Sequence, residues 1–479
     1  MLFKPASFSD WNVFSSSMPR SLWRADNTQS ESQPQSHHDA HHDAHYQSPP
    51  ARPKPRWRSS SNKGHGNHKV SFSDSSKRDS SRPSASRTNS HTSSPRLLSP
   101  RGDKDRDRPR SQQLWSDNRA WQRVNRQSEA LWQESPSVLS PNAPQPRPFL
   151  IYHDSFLSLL GPSPTLSLLI SDPRAPYFHE AGVFHPATNT LFITSNQIPD
   201  TSPDAVTTSN KTIVITKIEF FSPTDFTRDK VRCPERNYMA NGGTNFRDGI
   251  ILCAQGSLRE PSGLIYMEAK RPHKATTLLN NYHGRPFNSP NDVVVHSDGS
   301  VWFTDPIYGY EQGFRPKPQL PQHVYRFDPS TGDIRVVADG FGRPNGICFA
   351  PNEETCYITD TDVIHGDGTK VHSRPATVYA YSVYWTNDQP YLTNRRVFAY
   401  ADTGAPDGIK CDVYGNVYAG CGDGINVWNS GGMLVGKILI EGGCANFCFG
   451  RNGEMWCFGE NKLWRVKLGD ETRGALLGV

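Results

Sequence analysis

The stretch Phe287-Asn288-Ser289-Pro290-Asn291-Asp292-Val293-Val294-Val295-His296-Ser297-Asp298-Gly299-Ser300-Val301-Trp302-Phe303-Thr304-Asp305-Pro306 reads as a polar entrance, a β-branched run, a tight turn and a second apolar run. Val293 to Val295 and Val301 to Phe303 are strand formers, and Asp298-Gly299 between them is a strong hairpin signal. The ten-residue frame from Pro290 to Gly299 can be laid over five other places. It leads from Ala240-Asn241-Gly242 to Asp248-Gly249, from Pro344-Asn345-Gly346 to Asn352-Glu353, and from Pro406-Asp407-Gly408 to Tyr414-Gly415. It also leads from Cys444-Ala445-Asn446 to Asn452-Gly453 and from His179-Glu180-Ala181 to Ala187-Thr188. Each copy runs into an apolar segment: Ile250 to Cys253, Cys356 to Ile358, Val417 to Ala419, Met455 to Phe458 and Leu191 to Ile193.

The second frame position holds Glu180, Asn241, Asn291, Asn345, Asp407 and Ala445, at intervals of 61, 50, 54, 62 and 38 residues. A period near fifty built of short strands is the signature of a β-propeller, so six copies predict an all-β, six-bladed propeller. Equivalent positions in related blades lie at equivalent radii. The frame therefore predicts a ring of side-chain oxygens around the axis, from Glu180, Asn241, Asn291, Asn345 and Asp407. Carboxylates and amides without sulfur or imidazole suit a hard cation such as Ca²⁺.

The chain has 479 residues, of which 35% are hydrophobic. Residues 1–146 differ in composition from the remainder: they carry 22 Lys and Arg against 13 Asp and Glu, whereas residues 147–479 carry 30 against 34. Rich in Ser, Pro, Arg, Gln and His and lacking periodicity, this leader is expected to be disordered, with residues 147–479 forming the propeller. The segment from Gln112 to Gln133, with Trp115, Trp121 and Trp132, is expected to be helical if it forms structure on a partner. The tract His37 to His45 reads as low complexity or as a transition-metal binder. Ser94-Pro95, Ser99-Pro100, Ser135-Pro136 and Ser140-Pro141 read as proline-directed phosphorylation sites or as ordinary tail dipeptides. The basic runs at Arg52 to Arg58 and Arg101 to Arg110 read as solvated charge, so no nucleic-acid partner is expected. The nine cysteines lie between Cys233 and Cys457, mostly within strand-like runs, and read as buried thiols rather than disulfides or a zinc site. With no secretory h-region and no long apolar run, no membrane partner is expected and a cytoplasmic location is favoured. Phe149 to Tyr152 is expected to close the ring by pairing with the final blade.

Five segments carry a family resemblance: His179-Glu180-Ala181-Gly182-Val183, Phe287-Asn288-Ser289-Pro290-Asn291-Asp292, Phe303-Thr304-Asp305-Pro306-Ile307-Tyr308-Gly309, Arg343-Pro344-Asn345-Gly346 and Pro406-Asp407-Gly408. Over residues 148–479 the chain resembles the gluconolactonase, regucalcin and lactonohydrolase family, most closely its fungal lactonohydrolase type. The resemblance implies a six-bladed propeller that holds a divalent cation, usually Ca²⁺, and hydrolyses sugar-type or related lactones. It implies Glu180, Asn345 and Asp407 as metal ligands, Asn291 as a metal or substrate residue, and Asn241 as a channel position on the substrate side. The long leader departs from the family pattern.

Lactone hydrolysis needs a polarised carbonyl and an activated water. Asp407, the only Asp at the second frame position, is the candidate general base, with Asp360 and His283 as alternatives. Asn288, Asp292 and Asp305 are expected to brace the inner strands, Trp302 and Tyr308 to pack within blades, and His365-Gly366-Asp367-Gly368 to form a rim or a turn. Other readings are a non-catalytic calcium-binding or protein-interaction propeller, a same-fold esterase or phosphotriesterase, and a strictosidine synthase-like condensing enzyme. The particular lactone, the choice among Ca²⁺, Mg²⁺, Mn²⁺ and Zn²⁺, and the oligomeric state stay open at this level.

Overall fold

The hairpin that opens the sequence argument forms with Val293–Val295 against Val301–Asp305, in the register Val293↔Phe303 and Val295↔Val301. Its turn closes through the Gly299 N–H donating to the His296 carbonyl at 2.9 Å. Gly299 sits at φ +85°, a conformation that a Cβ disfavours. The computed structural model describes residues 121–123, 147–200, 211–231 and 239–475.

Every frame copy makes the same hairpin, and each hairpin grows outward into a four-stranded antiparallel sheet. Blade one is Glu180–His185, Thr190–Thr194, Ile215–Phe220 and Phe226–Lys230. Blade two is Ala240–Phe246, Gly249–Ala254, Gly263–Glu268 and Ala275–Leu279. Blade three adds His323–Phe327 and Ile334–Ala338 to the first hairpin. Blade four is Pro344–Phe349, Thr355–Asp360, Thr377–Thr386 and Gln389–Tyr400. Blade five is Ile409–Cys411, Val417–Cys421, Gly424–Trp428 and Leu434–Leu439. Blade six is Asn446–Phe449, Glu454–Gly459, Lys462–Lys467 and, from the N-terminal side, Thr165–Ser171. The chain is a six-bladed β-propeller.

The ring is closed by a different strand from the one expected. Thr165–Ser171 pairs with the sixth blade, with Leu166 opposite Val466. Phe149–Ile151 is a strand, but it extends the fifth blade, with Phe149 opposite Ile438. Burial explains the exchange. Phe149 and Ile151, with Phe156, Leu159 and Leu160 of the helix Ser155–Leu160, cover the apolar seam between blades five and six. The side chains of Thr165–Ser171 are half-buried or exposed, which suits an outermost strand. Trp121–Arg123 lies parallel beside Phe149–Ile151, so these residues are strand rather than helix, and Trp121 packs on the same cluster. The other expectations for the leader, its disorder, His tract, Ser-Pro pairs and arginine runs, fall outside the described residues.

The core sits in the slots between blades rather than within one centre. Val183, Phe192, Ile250 and Leu252 fill the slot between blades one and two, and Ile251, Cys253, Val301 and Phe303 fill the next. Trp302 and Val294 meet Phe349 and Ile358 between blades three and four, which confirms Trp302 as a packing residue. The eight described cysteines are all buried and unbridged. Among the described residues no helix is long and apolar enough to cross a membrane.

Phe156 is fully buried, and a Cβ added at Gly436 would collide with its ring. Phe156→Ala should therefore lower unfolding free energy by about 3–5 kcal/mol in denaturant titration. A loss below about 1 kcal/mol would mean that the helix does not hold the fifth blade.

Candidate active site

The second frame residues reach the axis because each inner strand begins there. Glu180, Asn241, Asn291, Asn345 and Asp407 are between 1% and 6% exposed. The backbones of Asn241, Asn291, Asn345 and Asp407 are held by the preceding blade. The hydroxyls of Thr194, Thr304 and Thr359, on second strands, donate to the carbonyls of Asn241, Asn345 and Asp407 at 2.9, 2.6 and 2.9 Å. The Asn291 carbonyl instead accepts from the Gly242 N–H at 2.8 Å and from Asn241 Nδ2 at 3.2 Å.

Close approach also explains the glycine after three ring residues. A Cβ at Gly242 would meet Asp292 Oδ1 at 2.7 Å, one at Gly346 would collide with the Asp407 carbonyl, and one at Gly408 would collide with the Asn446 side chain. None of the three has positive φ, so these glycines serve convergence rather than a turn.

Glu180, Asn241 and Asn291 line a cavity with about 360 Å³ of empty space, part of it open solvent. Asn345 and Asp407 are buried at the next two inner-strand entrances and do not form its wall. The sixth position is Ala445, whose N–H donates to the Phe458 carbonyl and whose carbonyl accepts the Gly408 N–H, as Asn291 does with Thr304 and Gly242. Asn446, the next residue, stands where Asp292 does in blade three. Asn446 Nδ2 donates to Glu180 Oε2 at 2.7 Å and so joins the last blade to the first. Asp305 and Asp360 brace their loops as acceptors: Asp305 receives the N–H groups of Asn288 and Ser289 at 2.9 and 2.8 Å, and Asp360 those of Gly342 and Arg343 at 3.0 and 2.7 Å. Asp292 accepts from the Val293 and Ile347 N–H groups. His283 is exposed on the small hairpin Asn281–Tyr282 and Arg285–Pro286, away from the cavity wall.

Several wall residues take roles that the sequence pattern does not assign them. His179 precedes Glu180, and its Nδ1 lies 2.7 Å from Glu460 Oε1. Tyr308 lines the cavity instead of packing inside a blade, and its hydroxyl bonds to Thr361 and to the Ile364 carbonyl. The helix Tyr308–Glu311 that carries it is pinned to the fourth-blade rim, because Arg343 pairs with Glu311 and the Gly366 N–H donates to Glu311 Oε2 at 2.7 Å. The His365 to Gly368 segment is a turn against that helix, with the Gly368 N–H on the His365 carbonyl. Gln197 bonds to Gln312 across the wall, and Lys211 Nζ reaches the Gln312 carbonyl at 3.1 Å.

The charges crowd at the axis. Burial raises the Glu180 carboxyl to about 7, although His179 and the Asn446 amide favour its charged form. Burial, and then the charge of Glu180, push Asp407 well above the usual carboxylate range. Burial opposes charge on His179, but Glu460 beside it raises the imidazole to about 9. Asn291 Oδ1 and Asp407 Oδ1 are buried with no hydrogen-bond partner. A divalent cation fits this donor set: two mutually unfavourable carboxylates, amide oxygens, and two oxygens left unsatisfied. Among the described residues no three His, Cys, Asp or Glu side chains gather as a metal cluster, so any such site relies on the Asn amides.

Raised native pKa values give stability that is present at low pH and lost as pH rises. The contribution of Glu180, raised to about 7, is lost as pH rises through 7. That of His179, raised to about 9, is lost from about 6.5 up to 9 as the unfolded imidazole gives up the proton that the native one keeps. In the presence of chelator the thermal midpoint should therefore fall from pH 6.5 to 8.5, and Glu180→Gln should flatten the slope. A flat wild-type profile would contradict the crowding described here.

Residues 213–456 match the family model described as SMP-30/Gluconolactonase/LRE-like region. Lactonohydrolase oryL of Aspergillus oryzae is 28% identical over 369 residues, covering 70% of this chain and 80% of that protein. The gluconolactonase of Zymomonas mobilis is 31% identical over 189 residues, covering 37% of this chain and 50% of that protein. The solved structure of the gluconolactonase XC5397 from Xanthomonas campestris superposes with a TM-score of 0.52 at 25% identity, over 67% of this chain and 95% of that one. The matched model covers more than half of the chain, from the third strand of blade one into blade six, and the chain belongs to the SMP-30/gluconolactonase/LRE-like family.

Proposed function

We propose that this protein is a lactone hydrolase that works with a divalent cation, Ca²⁺ by the chemistry of its donors, on a small lactone bound at the propeller axis. The observation that supports this reading is the pair of buried, unpartnered oxygens, Asn291 Oδ1 and Asp407 Oδ1, at the entrances of inner strands that also bring in Glu180 and Asn345. The names of the related lactonohydrolase and gluconolactonase point the same way.

Glu180, Asn291, Asn345 and Asp407 are the residues that would hold the cation. When bound, it supplies Lewis-acid polarisation of the carbonyl and of the attacking water. Asn241 and Asn291 orient the lactone. Asp407 accepts the proton of the water as its oxygen bonds to the carbonyl carbon. On collapse of the tetrahedral intermediate the ring C–O bond breaks, and Asp407 returns that proton to the departing alkoxide. Asp360 is less suited to the role, since its oxygens already receive backbone N–H groups, and so is His283 on its exposed hairpin.

Acid release from a panel of aldonolactones and pantolactone should vanish after chelation and return with Ca²⁺. Asp407→Ala should lower kcat by about 10²–10⁴-fold. Tight Ca²⁺ binding with no turnover of any lactone would overturn the hydrolase reading and leave a binding propeller.

A further inference from the structure

Most polar side chains on the cavity wall are already engaged by the protein. Asn196 donates to Glu460 Oε2 at 3.2 Å and accepts the Gln197 N–H at 2.7 Å. The Gln197 amide is bonded to Gln312, and Ser195 Oγ accepts the Val214 N–H at 2.9 Å. Gln255 differs from all of these. It follows directly after the second strand of blade two, Gly249–Ala254, and is 5% exposed. It lines the cavity with Asn241 and Asn291, yet its Oε1 is buried without a partner and no described residue bonds its Nε2.

The neighbouring blades show how unusual this is. At the ends of second strands, blades three and four place Thr304 and Thr359 to bond the next blade, and Asp305 and Asp360 to brace a loop. The same two positions of blade two hold Cys253 and Ala254, and Gln255 follows them where blade four has Thr361, whose hydroxyl bonds to Tyr308. The Asn291 carbonyl of the next blade is already satisfied by Gly242 and Asn241. A buried amide without a protein partner is unfavourable unless something else supplies its hydrogen bonds.

We infer that Gln255 is a specificity-determining residue whose side-chain amide binds a hydroxyl group on the ring of the substrate. A hydroxyl both donates and accepts, so it matches an amide with one end of each kind. An alkyl-substituted ring would leave that amide buried and unpaired, and a site built around a hydroxyl discriminates against such an analogue. Gln255 then contributes a preference for a lactone with a ring hydroxyl within its reach over one that is alkylated or unsubstituted there. This inference rests on the hydrolase reading above, but it concerns binding rather than the chemical step.

The test compares the full-length wild type with Gln255→Met, which keeps the length of the side chain and removes its amide. The ratio of kcat/KM for an aldonolactone to that for δ-valerolactone, which has no hydroxyl, should fall about tenfold, with the change carried by KM. The thermal midpoint of Q255M should equal or exceed that of wild type, since no protein hydrogen bond is lost. Calorimetric titration with sodium gluconate should give a Kd about tenfold weaker in the variant. An unchanged ratio, including an equal loss on both lactones, would overturn the inference. Should the wild type hydrolyse no lactone, the hydrolase reading fails while the gluconate titration still decides the role of Gln255. Equal Kd values, or no binding by the wild type, would then overturn it.

Discussion

Six inner strands start at one axis and crowd their polar groups into one buried space. That convergence governs the rest of the molecule. It requires Gly242, Gly346 and Gly408 where neighbouring blades nearly touch, and it places threonine hydroxyls under the carbonyls of Asn241, Asn345 and Asp407. It also buries Glu180 and Asp407, which holds both carboxyls above the ordinary range, Asp407 further raised by the charge of Glu180.

The outer parts of the fold make that crowding tolerable. Apolar clusters fill the slots between blades, so the free energy that holds the ring together is distributed around the circumference. Segments from the N-terminal side secure the join in two ways. Thr165–Ser171 completes the last sheet, while Phe149–Ile151 and the following helix bury aromatic and aliphatic side chains over the adjoining seam. A rigid ring can then hold polar side chains unsatisfied at its centre.

Much of the site's wall comes from loops between second and third strands rather than from the ring. Tyr308 and Gln312 reach the cavity because Arg343 and Glu311 pin their short helix to the fourth blade, and Gln197 meets Gln312 across the mouth. Such contacts join side chains 115 residues apart and follow no repeat. They differ from blade to blade, so loop residues rather than the repeated frame are suited to distinguishing one ligand from another.

The sequence by itself determined the six-fold frame, the inner and second strands, and the ring residues from Glu180 to Asp407. Each of these depends on residue type and spacing within a span of about ten residues, repeated until the pattern is unmistakable. The sixth copy keeps the frame at Ala445, which has no polar side chain, and the following residue, Asn446, supplies the group that meets Glu180. Only the tertiary structure decided which N-terminal strand closes the ring, that His179 pairs with Glu460, and that Gln255 is left without a partner. The Glu180–Asn446 and His179–Glu460 contacts span 266 and 281 residues. No local preference specifies such pairs; they exist because closing the propeller brings its first and last blades together.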